Sequence, residues 1–188
     1  MSNEIITTLI SVGATSLISV IGFWITSTSL KKSFRNELHK NRDNVFLGHM
    51  SAIPLDILEL LDEMMEIDNS TLKNKRQKEQ NLKSFKKIIN TTYSYGSEEA
   101  IKILALMQKE NYAAAKDNVE QDIYRMIAIY CLAATQIKFD VTGIAVSPNF
   151  WFQLRLNDYS KHKEKYRIAT NILIKELELN KKFKFWFK

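Results

Sequence analysis

The run IITTLISVGATSLISVIGFWITSTSL, Ile5 to Leu30, contains no charged residue over 26 positions and is bounded by Glu4 and Lys31. A hydrocarbon core of about 30 Å needs about 20 apolar residues of helix, so this run is long enough to span a membrane. A secretory signal peptide is the rival explanation of an apolar N-terminus. Asn3 and Glu4 make a poor basic start for one, and no small-x-small cleavage site is followed by a secreted-looking domain. A transmembrane helix over residues 1–30 is therefore expected.

The polar residues inside the run share a direction. At about 100° per residue, Glu4, Thr8, Ser11, Thr15, Ser19, Gly22, Thr26 and Ser29 fall in a sector about 80° wide. Ile6, Leu9, Ile10, Leu17, Val20, Ile21 and Trp24 cover the far side. Lipid offers no hydrogen bond to a hydroxyl, whereas small and hydroxylated residues let membrane helices approach and bond to one another. Three outcomes stay open: a dry helix–helix seam, a ring of helices lining a wet pore with Glu4 at its mouth, and a chance alignment of tolerated residues. The first two imply a homo-oligomer, of which a tetramer is one form.

Basic residues outnumber acidic ones by 27 to 21, a net charge of +6, and the surplus is clustered. Lys31, Lys32 and Arg35 follow the run directly, which by the positive-inside rule places that flank in the cytoplasm and the N-terminus outside the inner membrane. The tail over 181–188 alternates Lys181, Lys182 and Lys184 with Phe183, Phe185, Trp186 and Phe187. Rings prefer the headgroup level and lysines attract anionic lipid, so Lys181, Lys182, Phe185, Trp186 and Phe187 are expected at the membrane interface. Packing of the tail on the domain is the alternative.

Between these ends the pattern is helical throughout. A stalk helix over 31–50 has Phe34, Leu38 and Val45 on one side and Ser33, Glu37, Lys40 and Asn44 on another. Pro54 fits the first turn of a new helix, in which Leu55, Leu58, Leu61 and Met65 recur at helical spacing. Gly96 suits the left-handed end of one helix and Ser97 the N-cap of the next. Met126 to Ile137 is apolar nearly all round, as a helix buried on every side must be, yet too short to span a membrane. The expectation is an all-α chain: anchor, stalk, a cytoplasmic bundle of about five helices over 51–180, and the tail.

Chemistry is hard to place on these residues. His39, His49 and His162 have no metal-pair spacing, the five glycines form no phosphate loop, and the lone Cys131 lies in the buried run. No catalytic residue, metal or cofactor is called for. The densest charge is Lys73, Lys75, Arg76, Lys78, Lys83, Lys86 and Lys87 against Glu79. Such a block is either a solvated face, a partner for the acidic helix before it, or a contact for an anionic ligand, lipid or nucleic acid.

The corner Tyr95-Gly96-Ser97-Glu98-Glu99-Ala100-Ile101 and the later Lys138-Phe139-Asp140-Val141-Thr142-Gly143 leading to Ser147-Pro148 resemble stretches of bacterial single-pass proteins with an anchor, a stalk and a small helical cytoplasmic domain. The layout is also similar to membrane effectors of phage-defence operons, including the Hailong type. The resemblance implies a membrane protein held closed by a nucleic acid or nucleotide made by a partner nucleotidyltransferase. The other function class left open is a non-catalytic membrane-anchored scaffold that positions a cytoplasmic partner.

If the hydroxyl face is an interface, Thr15→Leu and Gly22→Leu will disturb assembly measured by cross-linking in membranes, and Leu17→Ile and Val20→Leu on the lipid side will not. If the face also lines a pore, Glu4→Lys will change ion preference and leave assembly intact.

Overall fold

The computed structural model describes residues 2–66, 73–117 and 122–185, with side chains from Phe23 onward apart from those at 42, 66, 73–75, 78 and 114–117. Every regular element among them is helical: α1 (Ser2–Met50), α2 (Ile53–Glu66), α3 (Lys73–Tyr95), α4 (Glu98–Asp117), α5 (Ile123–Thr142), α6 (Asn149–Arg155), α7 (Tyr159–Glu176) and a 3-10 turn over Lys181–Phe183. The chain forms two compact units, Met1–Val45 and Phe46–Lys188. The first is helix throughout its described length, as the absence of proline between Ile5 and Val45 permits. Among the described residues one stretch, Phe23–Met65 near the N-terminus, is long and apolar enough to cross a membrane by length and composition. Its buried side chains, Met50, Ile53, Ile57, Leu60 and Leu61, belong to the core of the second unit. Phe23, Trp24, Ile25 and Leu30, which end the uncharged run, are exposed.

The second unit is organised around α5. Its residues from Ile127 to Ala134 are all buried, and α2, α4 and α7 pack against it. Ala128, Ala133 and Ala134 keep its surface low enough for that many neighbours to approach. Asp122 caps its start by accepting from Tyr124 N and Arg125 N, and Gly143 ends it at φ 69, a left-handed conformation that side chains with a Cβ resist. Cys131 is a buried free thiol, pushed well above its usual pKa by burial and the nearby Asp62 charge. Both facts fit the structural role expected of it.

The arrangement bears on four of the expectations. The second unit holds six α-helices and a 3-10 turn among its described residues, beside the expected bundle of about five. The face α2 buries is Ile53, Ile57, Leu60 and Leu61, with Leu55 and Met65 exposed; α2 lies against both α3 and α5, and the buried side chains lie about 120° to 160° around the helix from Leu55 at about 100° per residue. The second compact unit begins at Phe46, a few residues ahead of the expected residue 51, and Phe46 and Met50 pack in its core.

The fourth concerns the tail. Phe183 and Phe185 are buried in the domain, the alternative to a membrane contact for these two rings. Phe183 meets Phe139 edge-on at 5.9 Å between centroids, and Phe185 lies 5.6 Å from Phe152. The backbone is tied down as well: Phe185 N donates to Asn171 Oδ1 at 3.0 Å and Ser147 Oγ donates to the Phe183 carbonyl at 3.3 Å. Phe183 and Phe185 turn inward while Lys181 and Lys182 stay in solvent. Trp186 and Phe187 lie outside the described residues.

Ile127→Ala removes a side chain from the middle of α5 and is expected to cost about 2–5 kcal/mol as a buried truncation. Ile123→Ala, on an exposed side chain of the same helix, is expected to cost no more than about 1 kcal/mol. Thermal or denaturant unfolding of the detergent-solubilised chain compares the two.

Candidate functional site

Of the proposed membrane face, Thr26 and Ser29 are exposed, and so are Lys31, Lys32 and Arg35 just beyond it. The backbone is helical through Glu4, Thr8, Ser11, Thr15, Ser19 and Gly22, whose side chains lie outside the described residues. Thr28, which faces away from that sector, donates its hydroxyl to the Trp24 carbonyl.

The basic segment forms the first part of α3 and packs beside the acidic α2. Lys87 Nζ lies 3.6 Å from Asp56 Oδ2. The Asn81 amide, oriented to satisfy its neighbours, donates to Glu63 Oε2 at 2.6 Å. Between the helices is a cleft of about 140 Å³ lined by Asp56, Glu59, Glu63, Ser84 and Lys87. The structure thus brings Lys87 to a carboxylate and leaves Arg76, Lys83 and Lys86 exposed; the side chains of Lys73, Lys75 and Lys78 lie outside the described residues.

The two stretches that carry the resemblance meet in space. Ser97 caps α4 by accepting from Ala100 N at 3.2 Å, and its hydroxyl donates to Asp140 Oδ2 at 2.6 Å. The buried Gln136 donates to Asp140 Oδ1 at 2.8 Å. Burial raises the Asp140 carboxyl above its ordinary 3.8; Ser97 and Gln136 pull it partly back, and the Glu99 charge adds to the rise. Gly96 is not left-handed, since Gly143 is the one glycine with positive φ among the described residues. Its requirement is space: a Cβ there would sit 2.6 Å from the Thr92 carbonyl oxygen. Beside this corner His49 stacks on Tyr95 at 4.2 Å.

Some features escape a reading of the sequence. Arg125 donates to Glu110 at 2.7 Å and to Glu176 at 2.9 Å, joining α5 to α4 and α7. Although burial works against its charge, these two carboxylates hold the guanidinium pKa above its usual value. Tyr124 Oη and His162 Nδ1 are 3.2 Å apart. A cleft of about 220 Å³ lies among Leu58, Cys131, Lys138, Pro148, Trp151 and Leu154, with Phe150 and Leu154 exposed beside it. A hint of it was present in α6, where a seven-residue helix with four large apolar side chains cannot bury them all. Among the described residues no three His, Cys, Asp or Glu are grouped to hold a metal. Comparison with family models, with curated proteins and with solved structures returns no match.

Ser97→Ala removes an N-cap, worth about 1 kcal/mol, together with a donor to Asp140. A raised folded pKa means that the native state binds the proton more tightly, so this carboxyl favours folding more as pH falls through its folded value toward 3.8. The Ser97 hydroxyl favours the ionised form, and Ser97→Ala is therefore expected to destabilise more at neutral pH than in acid. Melting curves across that range check the sign.

Proposed function

We propose that this chain is a membrane-anchored, self-associating effector of the phage-defence kind, non-catalytic, with its N-terminus outside the inner membrane and its helical domain in the cytoplasm. The uncharged run of α1 assembles with other copies into a conducting path, and the domain holds that path closed until an anionic nucleotide or nucleic-acid signal changes. The observation that carries this reading is α1 itself, helical without interruption from Ser2 to Met50, with Met50 fully buried in the domain core. Helices bend sharply at proline, at glycine–serine pairs or at bulges; residues 31–50 contain one glycine and no proline. A change that repacks the core around Met50 acts directly on the last turn of α1.

The exposed Arg76, Lys83 and Lys86 support an anionic regulator, since such side chains neutralise phosphates. Lys87 contributes less, being held near Asp56. A second reading, the anchored scaffold, is favoured by the apolar cleft and the exposed Phe150 and Leu154 beside it, an arrangement suited to a partner's apolar side chain.

Expression of the full chain in bacteria loaded with a potential-sensitive dye separates the two. The effector is expected to depolarise cells when its domain is disrupted, for example by Ile127→Asp, and Arg76→Glu with Lys83→Glu and Lys86→Glu is expected to weaken regulation by the anion. If neither the wild-type chain nor the disrupted one changes the potential, and Leu154→Glu abolishes capture of a partner, the scaffold reading stands in its place.

A further inference from the structure

At the end of the uncharged run and beyond it, α1 carries exposed apolar side chains. Leu30 is 64% exposed, Phe34 63%, Leu38 54% and Val45 52%, although charged and amide residues surround them in sequence. At about 100° per residue these four, with Asn41, occupy a single sector about 80° wide. It lies next to the hydroxyl face and does not coincide with it. An exposed apolar stripe along one helix is the pattern that another helix covers.

The charges on either side of the stripe identify the covering helix. One flank carries Glu37 with Ser33 and Asn44; the other carries Lys31, Arg35 and Arg42. As a heptad, Leu38 and Val45 take a, Phe34 and Asn41 take d, Glu37 takes g, and Arg35 and Arg42 take e. Lys31 at the preceding a position closes the pattern on the membrane side. In a parallel pair, g faces the e position five residues further along the other chain, which sets Glu37 against the partner's Arg42. In an antiparallel pair, e faces e, and the basic flank would meet its own copy. Like charges there repel.

We infer that the stripe from Phe34 to Val45 is an interface between parallel, in-register copies of this chain, a short coiled coil following the anchor. The inference deepens the self-association reading and rests on it for the common orientation of the copies, for which the flanking charges supply a separate reason. Two heptads are too short to pair firmly by themselves. Anchoring in one membrane raises the effective concentration of one stripe near another, and so compensates for the length. Asn41 inside the seam weakens it and fixes its register, because an amide aligned with its counterpart is satisfied and one set against an apolar side chain is not.

The test is disulfide cross-linking of the full chain in native membranes, with single cysteines at Leu38, Val45, His39 and Asp43. Cys131 is buried and does not compete. Dimers at Leu38→Cys and Val45→Cys, with background levels at His39→Cys and Asp43→Cys, are expected; equal yields at all four, or none at the first two, overturn the inference. Glu37→Arg should lower the Leu38→Cys dimer, and adding Arg42→Glu should restore it. Loss without recovery, or no loss, overturns the parallel arrangement. Glu37, Leu38, His39, Asp43 and Val45 are exposed, so misfolding is not the expected effect there. Thr15→Cys cross-linking and alkaline extraction test the wider reading separately. Cross-linking at Thr15 but not at Leu38 or Val45 removes the stripe and leaves the membrane assembly, whereas alkaline release of chains that still cross-link at Leu38 removes the anchor and leaves the stripe.

Discussion

Burial of the middle of α5 on all its sides is the constraint on which the helical domain depends. From Ile127 to Ala134 no side chain reaches solvent appreciably, so α2, α4 and α7 each obtain their apolar cover from the same helix. α3 and α6 are then placed by the helices that already cover α5, since they pack on α2, α4 and α7. Small residues in the middle of α5 serve this role better than large ones, because backbone approach and not side-chain bulk limits how many helices can share one neighbour.

Apolar contact is not directional, and helices sliding on one another would bury similar area. Two polar ties restrict that freedom. Ser97 and Gln136 both donate to Asp140, pinning the start of α4 to the end of α5. Arg125 at the other end of α5 draws Glu110 from α4 and Glu176 from α7 to one guanidinium. Both ties are partly buried, where removal of one partner strands a charge or a polar group. Their contribution lies more in register than in net stabilisation.

The basic surplus is divided between internal pairing and free surface. Asp56 and Glu63 on α2 engage Lys87 and Asn81 on α3, which leaves Arg76, Lys83 and Lys86 to any outside anion. In the tail the separation is by side-chain type: Phe183 and Phe185 complete the aromatic packing around Phe139 and Phe152, and the lysines at 181 and 182 remain outside. A basic-aromatic repeat has the same composition whether its rings enter a bilayer or a protein core.

The sequence by itself determined what depends on composition and local period. The helical class, the uncharged N-terminal run, the buried middle of α5, the caps at Ser97 and Gly143 and the inert Cys131 all follow from neighbours a few residues apart. Tertiary structure decided which of several apolar faces is buried. Leu55 and Ile57 are equally apolar, yet only the side of α2 that meets both α3 and α5 takes its side chains inside. It also decided that Gly96 is needed for closeness to Thr92 and not for its dihedral freedom, and that Arg125 finds carboxylates 15 residues before it and 51 after it. Those outcomes turn on distances between segments far apart in the chain, which no local period encodes. The stripe of α1 is a case of the first kind: its period and its flanking charges are both legible in sequence.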